Sequence, residues 1–304
     1  MSSSSFSVTS YALAEGLGRT QEFLGRSISR LGSGNRILRP SDDPPGVGVT
    51  AKFESQTRRI GAAATNVQNA ISHVQTADGM LAKMGSALTR LSELATRARD
   101  PIQSAGDVAL YQEEFKALLQ QVRDTVGGTT AQIGGTADVS DPIGVFNGRQ
   151  LFGADGGMSL HVGANSDEVV NVAPNNLRTG AVASVITQDA SGNFLLSVQD
   201  PNAVSALESA LDAISAERAK VGGVQSRLEI LGQTLAVEGE NLGAALSRIR
   251  DVDVASETTQ MTKLKLLNET GTAMLSQANQ SPKSVLRLLE ELGSWPHEPG
   301  VWFS

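Results

Sequence analysis

Apolar residues recur at mostly three- and four-residue steps through Phe53, Ile60, Ala63, Val67, Ala70, Val74, Ala77, Leu81, Met84, Leu88, Leu91, Ala95 and Ala98. That is the one-sided stripe of a long packed helix. At about 1.5 Å per residue it predicts a rod about 70 Å long, more than a compact globule of this size needs. A second stripe answers it: Leu207, Ile214, Val221, Leu228, Leu235, Leu242 and Ile249 recur every seven residues, with Leu211, Val224, Leu231, Ala245 and Val252 between. Two long one-faced helices most simply bury their stripes on each other. The predicted fold class is therefore mainly α, an elongated antiparallel helical hairpin or coiled-coil bundle formed by both chain ends, with a small β-rich tip region.

Weaker stripes flank the strong ones. Leu13, Leu17, Thr20, Leu24, Ile28 and Leu31 form one near the start, interrupted by Gly16, Gly18 and Gly25, each costing about 1 kcal/mol relative to alanine. Leu264, Leu267, Met274 and Leu275 form another near the end, resuming at Val285, Leu286, Leu288 and Leu289. Helices this weak need a partner surface.

Punctuation supplies the boundaries. Gly32, Gly34 and Asn35 end the first helix, and Asp43 caps the rod with Pro44 at its first position, where a missing N–H is no loss. Asp100-Pro101 stops the rod, and Asp107 is the expected cap of a third helix carrying Leu110, Phe115, Leu119, Val122 and Val126 back along it. From 127 to 203 the chain is rich in turns, and Met158 to Val162, Glu168 to Val172, Ala181 to Ile186 and Asn193 to Val198 read as short strands, with a hairpin turn at Ala190 to Asn193. Residues 1–10 read as disordered, Ser281 before Pro282 as a fresh helix start, and the tail beyond Leu289 as irregular.

Composition narrows the function. The net charge of -7 comes from 25 basic and 32 acidic residues spread through the chain, without the clustered basic footprint that nucleic acid requires. There is no cysteine, which excludes disulfides and thiolate metal sites. No apolar run reaches membrane-spanning length, so no membrane insertion is expected. His73, His161 and His297 are scattered, with His73 read as a boundary residue between helices. Asp42-Asp43 and Asp251-Val252-Asp253 are the strongest acidic pairs, and both sit where acidic caps are routine. No nucleophile, base and orienting group converge, and no cofactor or metal site is expected.

Longer signatures then come into view. Arg30-Leu31-Gly32-Ser33-Gly34-Asn35-Arg36-Ile37 followed by Pro40-Ser41-Asp42-Asp43 resembles bacterial flagellin. The match resumes at Phe146-Asn147-Gly148-Arg149-Gln150-Leu151 and at Arg218-Ala219-Lys220-Val221-Gly222-Gly223-Val224-Gln225-Ser226-Arg227-Leu228. It is strongest at Ser247-Arg248-Ile249-Arg250-Asp251-Val252-Asp253 and at Gln277-Ala278-Asn279-Gln280-Ser281-Pro282-Lys283. Matching text covers about residues 10–152 and 205–289.

The resemblance implies a self-assembling subunit of the flagellar filament, secreted and non-enzymatic, in a short form lacking large outer domains. It assigns 1–45 and 253–289 to an inner filament-core domain, 46–126 and 204–252 to a rod, 127–203 to a short outward region and 290–304 to an atypical tail. Inner assembly residues are then Leu13, Leu17, Leu24, Ile28, Leu31, Leu264, Leu267, Met274, Leu286 and Leu289; rod packing falls to Val67, Val74, Leu81, Leu88, Leu228, Leu235, Leu242 and Ile249. The family's partners carry over as expectations: a homo-oligomeric helical filament, an export chaperone on 253–289, the flagellar type III export apparatus guided by Met1 to Arg39, and hook-associated and cap proteins. An innate immune receptor reads the family's rod. Arg90, Glu93 and Glu114 keep the matching surface, while Thr89 and Ser92 depart from the strongly recognised pattern. Pro44-Pro45 resembles instead the hook–filament junction protein, and heptads alone also suit a nonpolymeric coiled-coil scaffold.

Overall fold

The computed structural model describes residues 2–153, 156–165 and 167–293, with the side chains of 2–10, 279 and 281–293 outside the described set. The chain divides into two compact units, Met1–Glu54 with Gly243–Ser304, and Ser55–Leu242.

In the first unit, α1 (Ser2–Ser33) pairs with α7 (Val254–Gly293). Helix α1 begins at Ser2, so residues 2–10 are helical where disorder was expected. No glycine or proline precedes Gly16, and serine is only mildly unfavourable in a helix. Gly34, at φ 73°, ends α1, and its N–H bonds back to the Arg30 carbonyl at 2.9 Å. Asp43 then caps α2 (Pro44–Ala98): its Oδ1 accepts from the Gly46 N–H at 3.0 Å, as expected from Pro44 at the first position. Helix α7 passes through Ser281-Pro282 without a new start and reaches Gly293. Proline removes one ladder donor there, and helix formers on both sides sustain the rest. Leu286 and Leu289 have side chains outside the described set, as do residues 294–304 entirely.

The second unit is built on the larger part of α2 and on α6 (Ala203–Arg250). Gly239 stands against Ile60, Gly232 against Val67, Arg218 against Asp78 and Gly85 against Ile214. One partner descends as the other rises, so the two helices are antiparallel. Their buried seam holds Val67, Val74, Leu81, Leu88, Leu207, Ile214, Leu228 and Leu235. Helix α3 (Ala105–Val126) returns beside α2 and buries Phe115, Leu119, Val122 and Val126. Its cap is Ser104, not Asp107. The Ser104 hydroxyl accepts from the Asp107 N–H, and the Asp107 carboxylate accepts from Ser104 in return, a reciprocal capping box.

The middle segment packs onto this base as α4 (Thr130–Ile133), α5 (Ala181–Ile186) and two ribbons. Strands β1 (Val145–Phe146) and β2 (Arg149–Gln150) pair antiparallel around Asn147 (φ 48°) and Gly148 (φ 76°), the left-handed pair that a two-residue hairpin demands. Strands β3 (Met158–His161) and β4 (Val169–Val172) pair with Met158 opposite Val172 and His161 opposite Val169. Two expected strands are absent. Ala181–Ile186 is helical because Val182, Val185 and Ile186 bury on helical spacing after Gly180 opens the turn at φ 79°, so packing overrides β-branched propensity. Asn193 to Val198 supplies only a bridge from Phe194 to Gln188, although the expected tight turn before it is present, closed by the Asp189 N–H on the Asn193 carbonyl at 2.8 Å.

Candidate assembly surface

On α1 the less exposed positions are Leu17, Thr20, Leu24, Ser27, Arg30 and Leu31. On α7 they include Glu257, Met261, Leu264, Asn268, Gly271, Leu275 and Ala278, alternating four- and three-residue steps. These are heptad seams, and they meet where Leu17 Cδ1 packs into the notch of Gly271. Ile28 is not in the seam: it is 53% exposed, and Ser27, 2% exposed, takes its place. Leu13, Phe23, Leu266, Leu267 and Met274 also face outward. Arg26 lies 4.5 Å over the Phe23 ring, covering one of these apolar surfaces with a cation.

The polar junction beside that seam is closed by two main-chain bonds and one from a side chain. The Arg36 N–H donates to the Arg250 carbonyl at 2.7 Å, the Val252 N–H to the Gly34 carbonyl at 2.9 Å, and Arg36 Nη2 to the Ile249 carbonyl at 2.7 Å. Ile249, expected in the rod, thus serves the first unit, where it is half-buried. Asp42 accepts from the N–H groups of Arg39 and Leu38, which hold its carboxyl below the usual range. Asp251 is held low by the Ser247 hydroxyl and then by Arg250. Both acidic pairs therefore act as local ties. Among the described residues no group of three metal-ligating side chains occurs.

In the second unit Leu242 is half-buried against the core, unlike the fully buried rod positions above. The opposite face of α6 exposes Ile230 and Val237. Arg90, Glu93 and Glu114 are brought together: Arg90 Nε and Nη2 donate to the two Glu114 oxygens at 2.7 and 3.2 Å, and Nη1 donates to Glu93 at 3.1 Å. The bond to Glu114 raises the Arg90 pKa, and the same bond holds Glu114 low.

Two buried polar residues were not legible as such. His73, read as a boundary residue between helices, is 4% exposed, with its ring edge-on to Phe146 at 5.5 Å and 88°. Neither ring nitrogen has a hydrogen-bond partner, and burial, followed by Arg149, pushes its pKa down. Arg123 is 2% exposed and donates to the carbonyls of Ile133 (2.7 Å), Ile186 (3.1 Å) and Gly134 (2.6 Å). Those are the orphan carbonyls at the ends of α4 and α5. The signal that could have marked Arg123 is its place beside Val122 on the apolar side of α3.

Similarity to known proteins follows the same two-ended pattern. A family model of the bacterial flagellin N-terminal helical region matches residues 5–133, and one of the C-terminal helical region matches residues 204–289. Flagellin FlaB2 of Treponema pallidum is 37% identical over 277 residues, covering 90% of this chain and 94% of its own. The flagellar filament 33 kDa core protein of Treponema phagedenis is 35% identical over the same shares, 90% and 94%. A flagellin of Halalkalibacterium halodurans is 33% identical, covering 87% and 91%. A crystal structure of Bacillus cereus flagellin aligns with a TM-score of 0.45 and 19% identity, covering 60% of this chain and 94% of that one. With both helical regions matched, and relatives above 30% identity spanning nearly their whole length, the chain belongs to the bacterial flagellin family.

Proposed function

We infer that the chain is a self-assembling structural subunit of the bacterial flagellar filament, exported to act outside the cell in motility. Family membership supports this role over a junction protein or a nonpolymeric scaffold. The observation that carries the mechanism is the outward apolar face of α1 and α7: Leu13, Ile28, Leu267 and Met274 stay exposed although the two helices are paired. A second copy of the chain covers that face. Apolar area removed from water then offsets the entropy of ordering each added subunit, and head-to-tail contacts that do not close build a helix of subunits.

The inner-domain division at 1–45 and 253–289, the rod at 46–126 and 204–252, the outward region at 127–203 and the tail at 290–304 belong to this reading. So do its further partners: an export chaperone on 253–289, the type III export apparatus, and hook-associated and cap proteins. The Arg90–Glu93–Glu114 cluster is an accessible charged surface that suits receptor contact. The role is structural and not catalytic.

Seeded polymerisation of purified full-length chain, read by electron microscopy beside a version ending at Leu289, tests the reading. Long filaments from either form are expected; failure of both on intact seeds refutes it.

A further inference from the structure

The seam between α1 and α7 is not apolar throughout. Ser27 is 2% exposed, and its hydroxyl donates to Glu257 Oε1 at 2.5 Å. Arg30 Nη1 approaches Glu257 Oε2 at 3.9 Å, with the two side chains only 30% and 14% exposed. The Arg30 Nε is buried without a partner. A carboxylate, a hydroxyl and a guanidinium thus form one polar layer inside a helix pair.

Apolar packing alone does not fix how α1 sits along α7. Leu17, Leu24 and Leu31 recur every seven residues, so a seven-residue slide still lays leucine on the α7 seam, although it moves Leu17 from the Gly271 notch to Leu264 or Ala278 and breaks the Gly34–Val252 and Arg36–Arg250 main-chain bonds. The polar layer adds a penalty inside the seam itself. After such a slide Ser27 would face Leu264 or run past the start of α7, and Glu257 would face Gly34, beyond the end of α1, or Thr20. In either case Glu257 loses both partners, and in the first the Ser27 hydroxyl is buried against leucine. A single buried polar position fixes coiled-coil register in this way, at some expense in stability.

We propose that Ser27, Arg30 and Glu257 set the register of α1 against α7, and thereby decide which residues the pair presents to neighbouring copies. Leu13 and Ile28 on one helix and Leu267 and Met274 on the other are all exposed. A seven-residue slide displaces the first pair by about 10 Å relative to the second, so the pattern they offer a second copy changes. The three side chains are positioning residues for assembly. The inference rests on the filament reading above, and the test separates the two.

The chain has no cysteine, so paired cysteines report register cleanly. Gln21→Cys with Asn268→Cys reads the observed register, since Gln21 Nε2 donates to Asn268 Oδ1 at 3.5 Å. Gln21→Cys with Met261→Cys, and with Leu275→Cys, reads the two slides. Each full-length pair is copolymerised as a minority with excess cysteine-free wild type and treated with a short bis-maleimide, so that cross-links form within one chain. In the otherwise native sequence the observed-register pair should cross-link at least tenfold more than either slid pair. Adding Ser27→Ala with Glu257→Leu should lower that ratio at least fivefold or exclude the chain from filaments. Glu257→Gln, which still accepts from Ser27, should retain the ratio. An unchanged ratio in the double variant overturns the proposal, as does exclusion of Glu257→Gln to the same degree. Failure of the wild type itself to polymerise refutes the filament reading instead.

Discussion

Replacing Arg123 with methionine tests the account of the middle segment most directly. The guanidinium is fully buried and holds three carbonyls at the C-terminal ends of α4 and α5. Methionine fills much of the volume but donates nothing. Each abandoned carbonyl costs about 1–3 kcal/mol, while the guanidinium no longer has to be desolvated, a penalty that already pulls its pKa down. Three carbonyls at the low end of that range give a net loss of about 3 kcal/mol. Urea unfolding of the full chain should be followed by far-ultraviolet circular dichroism, because both tryptophans lie in the tail at Trp295 and Trp302. With m about 2–3 kcal/mol/M, the midpoint for the second unit should fall by roughly 1–1.5 M. Arg123→Lys should fall between, since one ammonium cannot span two helix ends. A methionine variant within about 0.5 kcal/mol of wild type at unchanged m would refute the reasoning, because the carbonyls would then have other partners.

Three other outcomes follow from named contacts. His73→Phe keeps the ring against Phe146 and removes two unpartnered nitrogens, so stability at pH 8 should rise by about 1–2 kcal/mol; in wild type the folded pKa lies below the ordinary 6.5, the unfolded chain takes the proton first, and stability should fall as pH drops through that value, a slope the variant lacks. Denaturation at pH 8, 6.5 and 5 checks both signs, and a flat wild-type profile contradicts them. Gly134→Ala drives a Cβ into the Gln188 carbonyl at φ 67°, whereas Gly148→Ala at φ 76° meets nothing within 4 Å; thermal melts should show more than about 2 kcal/mol lost in the first and about 1 kcal/mol in the second. Carboxyl NMR should find Glu114 titrating below the usual range and returning to it in Arg90→Ala; the stabilisation it lends is present at neutral pH and fades as pH falls through its folded pKa.

The long helices were legible because burial repeats. Val67, Val74 and Leu81 on α2, and Leu228 and Leu235 on α6, announce their seam through spacing alone. The terminal seam was less legible: Ile28 fits an apolar stripe as well as Ser27 does not, yet Ser27 is inside because Glu257 and Arg30 meet it there. Such a choice depends on the partner helix, which no local pattern contains. The middle segment was harder still. Ala181–Ile186 carries strand-like side chains but curls under Gly180 to bury three of them on a helical face, and Arg123 finds its acceptors 10, 11 and 63 residues away. Arg90, Glu93 and Glu114 meet because Arg90 and Glu93 share a helix turn and α3 returns alongside to deliver Glu114.

The outward leucines and methionine of the terminal pair carry a consequence for supply. Under the proposed function, the surface that turns dry in the filament is the surface that is wet in every free subunit, so both are governed by one critical concentration below which growth stops. Shaving an outward side chain such as Leu267 removes about 1.5 kcal/mol of burial per contact, and each 1.4 kcal/mol moves that threshold tenfold. Those positions therefore have little latitude: too little apolar surface and growth stops at the available subunit concentration, too much and free subunits gather with one another first.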